Sequence, residues 1–438
     1  MNRIVADDIN SPAMTAWFTT LSPSLLLTYA FALALLGVLI LKFWLNSRQI
    51  RHVARHRAEV PGAFAQTVSL AAHQKAADYT LAKARLGVLE LALGTAVLLG
   101  WTLLGGLSTL NQALLERMGG GMLQQLTLLA AFVLINGLID LPLSLYQTFG
   151  IEQRFGFNKM TPKLWLLDLL KSTLMAAAIG LPLAALILWL MQALGAWWWL
   201  WAWGVWIGFN LLLLLIYPTL IAPWFNKFAP LEDATLKARV TALMQRCGFA
   251  AKGLFVMDGS KRSAHGNAYF TGFGASRRVV FFDTLLARLS VPEVEAVLAH
   301  ELGHFKHRHV IKRIVAMFAL SLLGFALLGW LSNQSWFYSG LGVQPSLGAP
   351  NDALALLLFM LALPVFSFFI TPAFAHLSRQ HEFQADAYAV AQTSAADLSS
   401  ALIKLYEDNA STLTPDPLYV RFYYSHPAAA ERLSRLPA

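Results

Sequence analysis

Seven long apolar runs constrain the fold of this chain more than any other feature of its sequence. They lie at about residues 22–45, 86–107, 122–146, 164–193, 197–221, 311–332 and 352–374. A helix needs about 20 predominantly apolar residues to cross the hydrocarbon core of a bilayer. Only 13% of the residues are charged, against about a quarter in a typical soluble domain. The sequence therefore predicts seven transmembrane helices in an all-α membrane protein with a small α+β portion.

The positive charges indicate how these helices are oriented. The net charge is +9, and lysine and arginine concentrate in alternate connections, whereas the connection at 333–351 contains neither. Connections rich in these residues usually face the cytoplasm. We therefore expect the segment 222–310 to face the cytoplasm and the N-terminus to lie outside. Because membrane orientation accounts for the basic charge, no nucleic-acid partner is expected.

The composition changes near residue 222, which suggests two domains. Residues 1–221 hold five of the predicted spans, and residues 222–438 hold a mixed polar segment and two further spans, at about 311–332 and 352–374. Within the mixed segment we expect a helix over 231–247 and strands at 253–258 and 278–283. Ser290 and Glu293 form an S-x-x-E capping box, which predicts that another helix begins there.

That helix carries the pentapeptide His300-Glu301-Leu302-Gly303-His304. Residues four apart share a helical face, so both imidazoles can reach one metal ion, while Glu301 can act as general base on a water molecule. A catalytic zinc ion needs a third protein ligand and an open position. The pattern therefore predicts one Zn²⁺ per chain.

The third ligand comes from a second stretch with helical spacing. Glu382 and Asp386 are also four residues apart, so Glu382 can bind zinc while Asp386 accepts the free ring N–H of a ligand histidine. His381 is the rival third ligand. The single cysteine, Cys247, excludes a thiolate-rich site.

Several motifs in order resemble the type I CAAX prenyl protease family of integral-membrane zinc metalloproteases. They are HELGH at 300–304, EFQAD at 382–386, KRSAHGNAYFTGFG at 261–274, LPLSLYQTFGIEQRFGFNK at 141–159 and SHPAAAERL at 425–433. The resemblance implies seven tilted helices around a chamber, with the zinc site at its cytoplasmic end, and endopeptidase activity.

The resemblance also assigns roles to individual residues. It implies that His300, His304 and Glu382 bind zinc and that Glu301 is the general base. Asn267, Ala268 and Tyr269 would pair with the substrate as an added strand, and His426 and Arg432 would lie near the substrate and the oxyanion. Asp386 would be either a proton donor or, as its chemistry favours, the partner of a zinc-ligating histidine.

Three alternative functions are compatible with the sequence. The substrate can be a prenylated C-terminal peptide, or the protein can be a quality-control protease for membrane proteins. A transporter that contains zinc is a third alternative, although structural zinc normally has four protein ligands and no adjacent base. We expect a bacterial inner membrane, with the endoplasmic reticulum membrane as the alternative, and the sequence does not predict an oligomeric state.

Overall fold

Seven long helices make up most of the fold. The computed structural model describes residues 22–250, 252–271 and 278–437. Within these residues, seven helical segments are long and apolar enough to cross a membrane: Pro23–Arg55, Leu70–Trp101, Met122–Glu152, Pro162–Ala193, Gly195–Trp224, His309–Leu331 and Asp352–Gln392. Each overlaps one predicted apolar run, so the prediction of seven spans is confirmed. The predicted N-terminal domain begins at residue 1, and its first 21 residues lie outside the described part.

The described part of the first half of the chain is helical apart from its connections. Its helices are α1 Pro23–Arg55, α2 Leu70–Trp101, α3 Gly106–Met118, α4 Met122–Leu145, α5 Pro162–Ala193 and α6 Trp198–Ile216. Hydroxyl groups accept N–H groups in the first turns of α2 and α5, since Ser69 accepts from Ala72 and Thr161 from Leu164. Residues 46–55 belong to α1 and residues 70–83 to α2, and a connection over 56–69 joins the two helices.

The second half combines a small sheet with helices. Its elements are β1 Phe228–Pro230, α7 Ala234–Arg246, β2 Gly253–Met257, β3 Ala268–Thr271, β4 Arg278–Phe282, α8 Asp283–Leu286, α9 Val291–Lys306, α10 His309–Leu331, α11 Ser335–Gly340, α12 Asp352–Ser367, α13 Thr371–Gln392, α14 Ala395–Asp408, α15 Pro417–Tyr423 and α16 Ala429–Leu433. The predicted helix and both predicted strands correspond to α7, β2 and β4. The helical segment that contains the last predicted span continues beyond residue 374, through α13 to Gln392.

The four strands form one sheet in the order β1-β2-β4-β3. The central strands β2 and β4 are parallel, and each outer strand is antiparallel to its neighbour. Val279 and Phe281 on one face of β4 belong to the same apolar cluster as Leu298 and Leu302 of α9, and Val280 between them is buried as well. In the described sheet β3 is an edge strand, because β4 is its neighbour on one side only.

The predicted capping box is present at the start of α9, and its glutamate also accepts hydrogen bonds from α14. Oε2 of Glu293 accepts the N–H of Ser290 at 2.7 Å. The same carboxylate accepts from Ser400 at 2.6 Å and from Lys404 at 2.8 Å, both on α14. Glu293 is buried. These contacts fix where α9 begins and hence where the rest of its side chains point.

A glycine allows α9 and α13 to approach closely. A Cβ atom on Gly303 would lie 2.8 Å from Cα and 3.0 Å from the carbonyl oxygen of Ala385. These are backbone atoms, so neither can rotate away. The two helices reach their observed separation only because residue 303 has no side chain.

We predict that Gly303→Ala separates α9 from α13 and lowers the free energy of unfolding by about 1–3 kcal/mol. Gly324→Ala on α10 is the matched control, because a Cβ atom there meets nothing within 4 Å. Thermal unfolding in detergent measures both variants. Equal melting temperatures for the two variants would contradict the packing argument.

We predict that Glu293 stabilises the fold in a pH-dependent manner. Burial alone would raise the pKa of Glu293, but its hydrogen bonds with Lys404, Ser400 and Ser290 outweigh burial and lower the pKa to about 2. A carboxyl with a lowered pKa stabilises the fold above its ordinary pKa, and this contribution is lost as the pH falls from about 4.5 towards 2. Glu293→Gln is expected to cost about 1–3 kcal/mol at pH 7.

The pH series provides the check on this prediction. The difference in unfolding free energy between the wild type and Glu293→Gln should shrink as the pH falls below about 4.5. The exposed Glu116 on α3 supplies a control, Glu116→Gln, which should be neutral throughout. A difference that stays constant from pH 7 to pH 3 would show that the carboxylate charge is not the cause.

Candidate metal centre

Three predicted metal ligands converge between α9 and α13. His300 and His304 lie one turn apart on α9, and Glu382 faces them from α13. Nε2 of His300 lies 3.2 Å from Nε2 of His304 and 3.5 Å from Oε2 of Glu382, and Nε2 of His304 lies 3.3 Å from Oε1 of Glu382. Two ligands about 2.1 Å from one ion at the tetrahedral angle are about 3.4 Å apart. The spacing therefore fits a single tetrahedral metal ion.

The carboxylate of Glu382 offers independent evidence for this fit. Its Oε2 atom is buried and has no hydrogen-bond partner among the described residues. A buried oxygen without a partner is costly, and a cation would satisfy it. Two imidazoles and one carboxylate are also a donor set of catalytic zinc sites. Elsewhere in the described ranges no other histidine, cysteine and carboxylate side chains converge in this way.

Asp386 lies behind His300 and not beside the converging donor atoms. Its Oδ1 atom accepts the Nδ1–H of His300 at 2.8 Å, and its two oxygens accept from Nε and Nη2 of Arg432 at 2.9 and 2.5 Å. Arg432 is buried. Its guanidinium group thus contacts Asp386 directly, although Arg432 was expected near the substrate. Asp386 fixes the Nδ1 proton of His300 and directs Nε2 of the ring at Glu382.

The electrostatics of the cluster favour a cation. Burial alone would lower the pKa of His300, but its contacts with the carboxylates of Asp386 and Glu382 outweigh burial and raise the pKa to about 9. Burial likewise opposes the charge of Arg432, but its contacts with Asp386 raise its pKa further above the ordinary value. The two carboxylates therefore attract positive charge at His300, and a metal ion can supply that charge only after displacing the proton.

His426 and Glu301 complete the polar surface around the predicted ligands. Nε2 of His426 lies 3.5 Å from Oε1 of Glu382, and its Nδ1 is 3.0 Å from Oγ of Ser425. The side chain is 64% exposed, and partial loss of water at the cavity wall lowers the pKa of His426. Glu301 lines the same cavity. The structure thus brings both predicted groups to the ligands.

A cavity of about 790 Å³ adjoins the site. Its wall includes Glu301, Glu382 and His426, polar groups of α1 and α2, and the backbone around Asn267. A cavity of this size can enclose a ligand of several residues or a long apolar chain. The candidate metal centre therefore lies where a substrate can enter.

The predicted substrate segment divides between the cavity and the opposite face of the sheet. The carbonyl of Asn267 accepts the N–H of Phe282 at 2.9 Å, so the N–H of Ala268 points to the free edge, where Oδ1 of Asn267 accepts it at 2.8 Å. Asn267 and Ala268 line the cavity. The hydroxyl of Tyr269 instead lies 4.0 Å from Sδ of Met257. Residues 272–274 of the quoted motif lie outside the described residues.

The geometry distinguishes between the rival third ligands. Glu382 converges with the two histidines, whereas the ring of His381 stacks on His309 at a centroid distance of 3.9 Å. The donor atoms of His381 do not join the cluster. The arrangement favours Glu382 as the third ligand, as the spacing of Glu382 and Asp386 suggested.

Sequence reasoning missed a polar network in front of β3. Tyr79 on α2 donates to Oε1 of Glu152 at 2.5 Å, and Oε2 of Glu152 lies 3.7 Å from Nε2 of His265. Nδ1 of His265 is 3.0 Å from Oδ1 of Asn409, and its ring stacks on Phe157 at 4.4 Å. The network joins the two quoted motifs at 141–159 and 261–274. The sequence showed that both motifs are present, but it gave no indication that they contact each other.

Sequence reasoning also assigned no role to His309 or Gln384. Nδ1 of His309 is 3.0 Å from Nδ1 of His304, and Nε2 of His309 is 2.8 Å from Oε1 of Gln384. His309 stands close to the pentapeptide in the sequence, but a continuous helix would direct it elsewhere.

Comparison with known proteins places this architecture and site in a family. Residues 49–227 match the family model described as the CAAX prenyl protease N-terminal region with five membrane helices, and residues 230–438 match peptidase family M48. Both models describe proteases, so the alternative of a transporter is not favoured.

Similar proteins come from several eukaryotes. The chain is 39% identical to CAAX prenyl protease 1 of Saccharomyces cerevisiae, a match that covers 72% of each protein. It is 34% identical to the CAAX prenyl protease 1 homolog of Homo sapiens, over 72% of this chain and 73% of the human protein. The crystal structure of S. mikatae Ste24p superimposes with a TM-score of 0.87 at 33% identity, covering 96% of this chain and 100% of that one.

These matches extend over both halves of the chain and agree with its seven spans, its small sheet and its clustered histidine and glutamate side chains. The chain therefore belongs to peptidase family M48, as an integral-membrane metalloprotease of the CAAX prenyl protease type.

Proposed function

We propose that His300, His304 and Glu382 bind one Zn²⁺ per chain and that this site hydrolyses peptide bonds within the membrane-associated cavity. The observation that carries the proposal is the convergence of these three side chains, with Oε2 of Glu382 buried and lacking a hydrogen-bond partner. A bound Zn²⁺ lowers the pKa of water towards about 7 and polarises a carbonyl group. The side chains around the ion would carry out proton transfer and stabilise the oxyanion.

In this proposal Glu301 moves the proton. It follows the first ligand in the sequence and lines the cavity, so it can accept a proton from the attacking water and deliver it to the leaving amine. His426 stands at the cavity wall and can donate a hydrogen bond to the oxyanion that develops on the scissile carbonyl. Asp386 orients His300 and is not the proton donor, because it contacts the ring nitrogen turned away from the ligand cluster.

We also propose that the substrate backbone adds to β3 as a fifth strand. The N–H of Ala268 points to the free edge and is held by the side chain of its neighbour Asn267. A substrate carbonyl can replace that side-chain acceptor, so that the peptide pairs beside Asn267, Ala268 and the backbone of Tyr269. Arg432 contributes by holding Asp386, and it lines the same cavity.

The finer substrate class rests on the relatives. Two of them are named CAAX prenyl protease 1 or its homolog. We propose that this chain cleaves C-terminal peptides, including prenylated ones, and that the lipid bilayer surrounds it. Quality control of membrane proteins is the second candidate, because the same active site and open strand edge would serve it.

The proposal extends to the membrane orientation and the domain organisation of the chain. The basic connections favour a catalytic site that faces the cytoplasm. We propose residence in a bacterial inner membrane, with the endoplasmic reticulum membrane as the alternative. Residues 1–221 would act as the membrane domain and residues 222–438 as the metallopeptidase domain.

We predict that Glu301→Gln abolishes peptide cleavage while zinc binding persists. Loss of general base catalysis should lower kcat by about 10²–10⁴-fold, because the amide of glutamine cannot accept the proton. Purified protein and a fluorogenic peptide provide the assay, and metal analysis should give about one zinc per chain in both proteins. Glu116→Gln is the matched control and should retain full activity. Cleavage by Glu301→Gln at the wild-type rate would rule out the mechanism.

Removal of the metal is a separate prediction. A zinc chelator should abolish wild-type activity, and added Zn²⁺ should restore it, because the ligand cluster holds no other source of Lewis acidity. Activity that survives complete removal of the metal would refute the zinc proposal itself.

The substrate class can be tested with paired peptides. We expect a farnesylated peptide to be cleaved with a kcat/KM at least about tenfold above that of its unprenylated twin, a difference of about 1.4 kcal/mol. The physical reason is burial of the apolar chain on binding. Equal values, together with cleavage of a misfolded membrane protein, would favour the quality-control function.

A further inference from the structure

A second buried imidazole contacts the metal centre from behind. His309 is only 4% exposed and begins α10. Its Nδ1 atom lies 3.0 Å from Nδ1 of His304, and its Nε2 atom lies 2.8 Å from Oε1 of Gln384 on α13. We propose that His309 and Gln384 are positioning residues, which hold His304 in the tautomer and orientation that a metal ion requires. This inference rests on the metal site proposed above.

The positions of the protons follow from the contacts. Nε2 of His304 faces Glu382 and His300, so a metal ligand there must carry its lone pair on Nε2 and its proton on Nδ1. That N–H needs an acceptor, and Nδ1 of His309 is in hydrogen-bond range. His309 must then carry its own proton on Nε2, where Oε1 of Gln384 accepts it. Each hydrogen bond in the chain thus determines the next.

A backbone irregularity brings His309 to this position. Arg308 separates α9 from α10 and adopts a left-handed conformation, with φ 55° and ψ 33°. In an unbroken helix a residue five positions after His304 would point to a different face. A left-handed conformation is costly for a residue other than glycine and often marks a functional site. Here it turns the chain so that His309 lies beside His304.

Neighbouring rings restrict the orientation of His309. The ring of His381 stacks against it at 3.9 Å with an interplanar angle of 11°, and His307 stacks at 5.5 Å with an angle of 14°. A ring held in this way cannot easily flip to exchange its two nitrogens. His381, which the sequence offered as a rival ligand, thus contacts a residue behind the metal centre.

The two histidine ligands therefore have different partners. Asp386 accepts the N–H of His300 and brings a full negative charge, which Arg432 offsets. A neutral imidazole accepts the N–H of His304 and brings none. Partners of this kind determine how strongly a histidine holds a metal ion, and their loss typically lowers metal affinity about 10–100-fold.

Zinc affinity of the full-length protein in detergent tests the inference without any substrate. Competition with a chromophoric chelator gives the dissociation constant of Zn²⁺, and the visible spectrum of the Co²⁺-substituted protein reports the ligand field. His309→Phe keeps the stacked ring but removes the acceptor, whereas His309→Asn places an oxygen near the position of Nδ1. Gln384→Leu removes the acceptor for Nε2 of His309, whereas Gln384→Glu keeps an oxygen acceptor there. His307→Phe is the control, because this exposed ring stacks on His309 without contacting His304.

We expect His309→Phe to weaken zinc binding about 10–100-fold and to shift the Co²⁺ spectrum. His309→Asn should restore most of the affinity, and Gln384→Leu should weaken binding more than Gln384→Glu. Wild-type affinity in His309→Phe would overturn the inference, as would a loss in His309→Asn or in His307→Phe as large as the loss in His309→Phe. A wild-type protein that binds no zinc would instead refute the metal site proposed above, so the two failures are distinguishable.

Discussion

The close approach of α9 and α13 is the interaction on which the rest of the site depends. Gly303 leaves room for the backbone of Ala385, and the two helices then present complementary faces to each other. One face carries two imidazoles, and the other carries Glu382 and Asp386. At a larger separation the same residues would remain on their helices without sharing an ion. The absence of a side chain at Gly303 thus determines whether His300 and His304 can approach Glu382.

Burial of charge is the second constraint, and it explains why Arg432 lies beside the carboxylates of Asp386 and Glu382. Glu382 and Asp386 are both buried, and an unpaired buried carboxylate would be costly. Arg432 offsets Asp386, while Glu382 keeps one oxygen without a partner. Oε2 of Glu382 is thus a buried carboxylate oxygen without a hydrogen bond, and it lies 3.5 Å from Nε2 of His300. Such an arrangement favours a cation there over any neutral ligand.

The membrane half of the chain contributes to the site and does not only anchor it. Glu152 and Tyr79 belong to the spans, yet they contact His265 just before the edge strand β3. Asp168 on α5 similarly binds Arg262 through paired contacts at 2.8 and 3.1 Å. These contacts fix the segment whose free edge faces the cavity. The position proposed for a substrate therefore depends on both halves of the chain.

Features that follow from local rules could be predicted from the sequence. Hydropathy defines a span within about 20 residues, and helical spacing aligns His300 with His304 and Glu382 with Asp386. Contacts between distant segments decided the rest: Glu382 and not His381 joins the histidines, β3 lies at the edge of the described sheet, and Tyr269 turns away from the cavity. The left-handed turn at Arg308 brings His309 beside His304, which helical periodicity cannot predict because the helix is broken there. Pattern specifies what each segment offers, whereas packing specifies which segments meet.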